Sequence, residues 1–218
     1  MSRIQGIILD LDGLMVDSEP LSYKAWQVLL GQYGYPFTED QYRNLIGIEG
    51  NASVIYLRRT MELPLSDQEI LDRHYKIWKG IMHQGARPME GLKELIEEMK
   101  KRKLKMGVAS NSRSRHVHST LEIIGLDGEI RCVSTVDMVK HGKPAPDVYL
   151  RTANGLGISP EFCLALEDSP TGLQSALNAG IRCAVVPNKA LIDANFEGAF
   201  AIFPTLRELA ANLDWLLS

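Results

Sequence analysis

Ile7-Ile8-Leu9-Asp10-Leu11-Asp12-Gly13-Leu14-Met15-Val16-Asp17 opens as an apolar run and stops abruptly at two acidic residues and a glycine. Ile7, Ile8 and Leu9 show no polar alternation, the pattern of a strand buried on both faces of a parallel sheet. Asp10 and Asp12 then fall at its carboxyl end, where open α/β sheets place their ligands. An ordinary strand followed by a polar turn has the same local composition, since Asp and Gly are common turn residues. Three later stretches decide between the two readings.

Immediately after Asp17 the pattern turns helical. A helix is expected over residues 18–33, with Leu21, Ala25, Val28 and Leu29 at helical spacing, and Gly34 and Pro36 end it. Short helical patterns follow at 39–45 and 52–61. Ser66-Asp67-Gln68-Glu69 is a capping box that opens a further helix to about residue 82. No strand pattern occurs between residues 18 and 85. From Arg87 helices and strands alternate as in a doubly wound sheet, with helices at 91–102, 113–124, 147–156 and 171–179. Strands are expected at 104–109, 130–134, 163–166 and 182–186, with an edge strand at 200–203. Thr205-Leu206-Arg207-Glu208 is a second capping box, at the start of a terminal helix. The fold expected is α/β: a Rossmann-like doubly wound parallel sheet core with an inserted all-helical cap domain. The core takes residues 1–16 and 86–218, and the cap takes residues 17–85.

The chain's 218 residues are enough to bury a sizeable core. Hydrophobic residues make up 45% and charged residues 23%, an ordinary globular composition. A net charge of -3 argues against a surface for nucleic acid. The basic cluster Lys100-Lys101-Arg102-Lys103 ends a helix, where cations complement the helix dipole. No segment is apolar and long enough to cross a bilayer, and Met1-Ser2-Arg3-Ile4-Gln5 has no signal-peptide character. Cys132, Cys163 and Cys183 lack paired or metal-ligand spacing and are read as buried thiols. A cytoplasmic location is expected.

Four polar clusters each follow an apolar strand: Asp10/Asp12, Ser110/Asn111, the Lys143-Pro144-Ala145-Pro146-Asp147 loop, and Glu167/Asp168. Strand ends in a parallel sheet share one edge, so these clusters converge. Several carboxylates at one edge repel one another unless a cation binds. Oxygen ligands in this number suit a hard cation, and Mg²⁺ completes its octahedron with waters and a substrate phosphate. Lys143 and the Ser110 hydroxyl would hold the remaining phosphate oxygens. The pattern points to phosphoryl chemistry. Asp17 with Ser18 is read as a cap of the next helix, Asp147 as a cap and a support for Lys143, and Ser169 as an N-cap. His141 is read as a loop residue, and His74, His83, His116 and His118 as residues of helical faces that form no ligand set.

The chain resembles the haloacid dehalogenase superfamily of phosphotransferases, in its branch with a helical cap after the first strand. Four family signatures occur in order: Asp10-Leu11-Asp12-Gly13, Ser110-Asn111, Lys143-Pro144 and Glu167-Asp168-Ser169. Within that branch it is similar to β-phosphoglucomutase-like sugar phosphatases and pseudouridine-5'-phosphatase-type enzymes. The resemblance implies that Asp10 is a nucleophile forming an aspartyl-phosphate and that Asp12 is the general acid and base. It implies Mg²⁺ held by Asp10, the Asp12 backbone carbonyl and Asp168, with Glu167 direct or through water. Ser110 and the Asn111 backbone would bind phosphoryl oxygens, and Lys143 would neutralise charge the metal does not reach.

Within the superfamily, dehalogenases lack the carboxylate that Asp12 supplies here. Phosphonatases carry a cap lysine whose position Lys24 does not match. The histidine and arginine of the phosphomutases fall at Ser22 and near Gly50. Hydrolysis of a small phosphate monoester, a sugar phosphate or nucleoside monophosphate-like compound, is therefore the expected reaction. The alternatives are a phosphomutase and a non-enzymatic binding module. Residues 19–23, 46–51 and 76–79 are the expected cap segments facing the leaving group. The partner is a small molecule, with neither nucleic acid nor membrane, and a monomer is the family expectation.

Overall fold

The computed structural model describes residues 4–43, 50–188 and 191–218. The chain divides into two compact units, Met1–Asp17 with Arg87–Ser218, and Ser18–Ala86. The first begins with β1 (Gly6–Leu9), whose four residues are all buried.

Every regular element among the second unit's described residues is a helix: α1 (Glu19–Gly31), α2 (Glu39–Arg43), α3 (Gly50–Thr60) and α4 (Asp67–Gly85). Its core joins Trp26, Leu29, Leu30, Phe37, Leu57 and Ile70. The Ser66 hydroxyl accepts the Glu69 backbone N–H, and the Glu69 carboxylate accepts the Ser66 N–H, the reciprocal box expected from the sequence. Ser18 stands at the N-cap of α1, but its side chain makes no capping bond. Pro20 in the first turn has already removed one of the N–H groups such a cap would serve. Leu45, expected to close the second helix, and expected leaving-group positions 46–49 lie outside the described residues.

Back in the first unit, α5 (Leu92–Lys101) buries Leu92, Leu95, Ile96 and Met99, the face its spacing predicts. There follow β2 (Lys105–Ser110), α6 (Ser114–Ile123), β3 (Cys132–Thr135), α7 (Asp147–Leu156), β4 (Cys163–Glu167), α8 (Pro170–Asn178), β5 (Arg182–Val185) and β6 (Ala201–Ile202). Two short helices, α9 (Leu206–Ala211) and α10 (Leu213–Leu216), end the chain. The six strands form one parallel sheet in the order β3-β2-β1-β4-β5-β6. The doubly wound α/β core is thus as expected. Chain order runs outward in one direction from β1 to β3 and in the other from β4 to β6. The reversal falls between β1 and β4, the switch point at which such sheets open a crevice beyond their carboxyl ends. Among the described residues no helix is long and apolar enough to cross a membrane.

Candidate active site

Asp10 leaves the end of β1 and still donates its N–H to Leu166 of β4 at 2.9 Å, so its side chain is presented at the switch point by the sheet's own ladder. Gly13 then turns the chain with φ +93, a conformation that side chains rarely adopt. A Cβ there would lie 2.0 Å from Asp168 Oδ2 and 2.9 Å from Asn188 Nδ2. A glycine at this position therefore lets the turn after Asp12 close on Asp168.

Asp10, Glu167 and Asp168 are all buried, and one carboxylate oxygen from each lies within 4.8 Å of the other two. The Lys143 ammonium enters this group and pairs with Asp10 Oδ1 at 2.5 Å and with Glu167 Oε1 at 2.6 Å. Among the described residues, this one cation faces three acids. Burial, helped by repulsion from Glu167, Asp168 and Asp12, pushes the Asp10 carboxyl well above its usual range despite Lys143. Burial and the Glu167 charge push Asp168 up to about 7. Burial alone would lower the Lys143 pKa, but Asp10 and Glu167 override it and hold the amine above its ordinary value. Converging buried oxygens with unbalanced negative charge are what a hard divalent cation requires, so the residues present fit Mg²⁺.

The loop carrying Lys143 is fixed on two sides. Asn111 receives the Lys143 N–H at 2.7 Å and donates to the Lys143 carbonyl at 3.1 Å. From α8, Ser175 donates to the Ala145 carbonyl at 2.5 Å and Asn178 to the Pro144 carbonyl at 2.9 Å. The Lys143–Pro144 peptide is cis. Asp147 was expected to support Lys143. It accepts the His141 backbone N–H at 3.3 Å and so holds the loop two residues before Lys143, but it is the first residue of α7 rather than its N-cap, which is Pro146.

Ser110, the last residue of β2, is buried, and its hydroxyl accepts the Ser112 N–H at 3.0 Å. Ser112 in turn donates its hydroxyl to Asp12 Oδ2 at 2.7 Å. His116 on α6 is half-buried; desolvation and the nearby Arg115 charge pull its pKa down to about 4, which keeps it neutral at pH 7. At the far side of the acid cluster, the Tyr149 hydroxyl donates to Glu167 Oε1 at 2.6 Å. Burial and the Glu167 charge raise the Tyr149 pKa, so that it remains a donor. Ser169 caps α8 by accepting the Gly172 N–H at 3.2 Å, which leaves the preceding Asp168 carboxylate to the acid cluster, as read from the sequence.

The structure thus brings Asp10, Lys143, Glu167 and Asp168 into one group, with Asp12 beside it on Ser112 and Asn111 behind Lys143. Ser112, Tyr149, Gly172 and Asn188 were not singled out in the sequence. Ser112 had a visible signal, since it continues the Ser110-Asn111 strand end.

The model of the haloacid dehalogenase-like hydrolase family matches residues 7–186. The chain is 29% identical to the phosphorylated carbohydrates phosphatase of Thermotoga maritima, over 82% of each chain. It is 30% identical to the fructose-1-phosphate phosphatase YqaB of Escherichia coli, over 82% of this chain and 94% of that one. Among solved structures, CbbY from Rhodobacter sphaeroides in complex with phosphate is similar with a TM-score of 0.89 at 27% identity, over 97% of this chain and 99% of that chain.

Proposed function

The chain belongs to the haloacid dehalogenase-like hydrolase family, and from that membership we propose that it is a Mg²⁺-dependent phosphatase of small phosphate monoesters, sugar phosphates foremost. The observation that carries this reading is the buried group of Asp10, Asp168 and Glu167 around Lys143 at the carboxyl end of β1 and β4.

In this reading, an Asp10 oxygen attacks the phosphorus while the ester oxygen departs and takes a proton from Asp12. The product alcohol leaves, and Asp10 carries the phosphoryl group as a mixed anhydride. Asp12, now ionised, removes a proton from the water that attacks this phosphorus; inorganic phosphate and free Asp10 result. Ser112 donates its hydroxyl to Asp12 Oδ2 at 2.7 Å and so orients that carboxylate at the strand end. Lys143 and the Ser110–Asn111 strand end would bind the phosphoryl oxygens. Asp10, Asp168 and the Asp12 carbonyl would hold Mg²⁺, with Glu167 beside them. Bound there, the ion would offset the repulsion between an anionic nucleophile and an anionic substrate. The relatives named as carbohydrate and fructose-1-phosphate phosphatases support a phosphorylated sugar as substrate class.

The test is phosphate release from a panel of sugar and nucleoside monophosphates, with Mg²⁺ and again with EDTA. Activity is expected with Mg²⁺ and lost with EDTA. Asp10→Asn, which keeps shape and removes the nucleophile, should lower turnover on the order of 10⁴-fold or more while leaving the circular dichroism unchanged. Retained turnover in that variant would overturn the mechanism.

A further inference from the structure

Tyr149 is wholly buried in an apolar cluster with Ile8, Ala109, Ala165, Leu173 and Cys183. Its ring satisfies that packing, and a phenylalanine would fill the same space. Packing therefore does not call for the hydroxyl, and a buried hydroxyl is unfavourable unless it finds a partner. The partner is Glu167 Oε1, at 2.6 Å, and the same oxygen receives Lys143 Nζ at 2.6 Å. The other oxygen, Oε2, receives the Asp168 N–H at 3.3 Å and the Ser169 hydroxyl at 3.4 Å. Both Glu167 oxygens are thereby occupied by this chain's own donors.

Resting on the phosphatase reading above, we propose that Tyr149 is a positioning residue for phosphate binding. It anchors Glu167, and Glu167 in turn sets the direction of the Lys143 ammonium. An ammonium has three N–H donors. Asp10 and Glu167 take two of them, and the third is left for an oxygen of the incoming phosphoryl group. The Tyr149 ring lies 5.2 Å from Lys143 Nζ and closes one more direction to the amine. Without the hydroxyl, Glu167 Oε1 would lean on Lys143 as its donor. The ammonium would then be drawn toward Glu167 and away from the substrate anion. Tyr149 touches no reacting atom; it acts through two side chains.

The probe is inorganic phosphate, titrated calorimetrically into the whole protein with Mg²⁺ present. Tyr149→Phe keeps the ring and should bind phosphate about tenfold more weakly, the scale of one hydrogen bond to a charged group. Its melting temperature should stay near that of the unaltered protein. In a Glu167→Gln background the same Tyr149→Phe change should add less than about twofold, because the group through which it acts is already altered. If Glu167→Gln does not fold, Lys143→Met provides the second background with the same expectation. Unaltered phosphate affinity in Tyr149→Phe would overturn the inference. So would a tenfold loss repeated in full on top of Glu167→Gln, the mark of an independent structural effect. If the unaltered protein neither binds phosphate nor releases it from esters, the phosphatase reading itself fails, and that outcome is distinct from either of the others.

Discussion

Gly172 has no side chain because Glu167 occupies the space one would need. A Cβ at that position would sit 1.9 Å from Glu167 Oε2 and 2.0 Å from its Cδ. Glu167 cannot yield easily, since Tyr149 and Lys143 hold its other oxygen. Gly172→Ala should therefore cost about 2 kcal/mol of stability through overpacking, and should lower phosphatase turnover by displacing Lys143. Gly80, inside α4, has nothing within 4 Å of its would-be Cβ, and Gly80→Ala should gain about 1 kcal/mol from helix propensity alone. Urea denaturation of the two variants side by side checks both signs; equal shifts would sink the steric argument. At this scale the sequence is only partly readable. Asp10 and Asp168 stand out because each is polar where an apolar strand has just ended, and Lys143 stands out only beside them, since it lies in a Pro-rich loop eight residues beyond the end of β3. Tyr149 and Gly172 do not stand out. A tyrosine at helical spacing reads as core, and an interior helical glycine reads as tolerated. The partner that gives both a reason, Glu167, lies eighteen residues from Tyr149 on another element.

At the scale of elements, periodicity found the helices better than it found their faces. α1 was expected to bury Leu21, Ala25, Val28 and Leu29, but its buried residues are Ala25, Trp26, Leu29 and Leu30, and Val28 is 42% exposed. At about 100° per residue the true stripe centres between Trp26 and Leu29, which places Val28 about 130° away. Trp26 draws the stripe toward itself: its ring stacks on His74 of α4 at a centroid distance of 3.9 Å, and a large aromatic outweighs a valine in the burial it can gain. The helix was legible from its own residues, but which face won depended on a partner helix the local pattern does not contain. Capping is different, because its partners are three residues apart. The Ser66 box was read correctly from the sequence, and it has a predictable strength. Ser66→Ala should destabilise the helical unit by about 1 kcal/mol, seen as a lower urea midpoint in tryptophan fluorescence, and Ser66→Asp should restore most of the loss. A midpoint unchanged in the alanine variant would mean that α4 is held by packing alone.

For the molecule as a whole, the buried acid cluster ties stability to pH and to metal in a way no single helix does. Asp168 has an ordinary carboxyl value of 3.8 and is pushed up to about 7 in the fold. Between those values the unfolded chain has released a proton that the folded chain still holds. Without metal, stability from this group therefore falls as pH rises through that window, and Asp10, raised by the same burial, acts in the same direction. His116 works the other way: its pKa is lowered from 6.5 to about 4, so its contribution to stability rises with pH between those values. The raw melting curve thus mixes opposing slopes. The difference between melting temperatures with Mg²⁺ and with EDTA separates them, because His116 titrates in both. Mg²⁺ takes the ionised carboxylates, and at low pH it must first displace their protons. The Mg²⁺-dependent gain in melting temperature should accordingly be small near pH 5 and increase steadily to about pH 8. Asp168→Asn should flatten that increase. A gain that is constant across this range would show that the cation does not bind at these carboxylates, and the proposed metal site would fall with it.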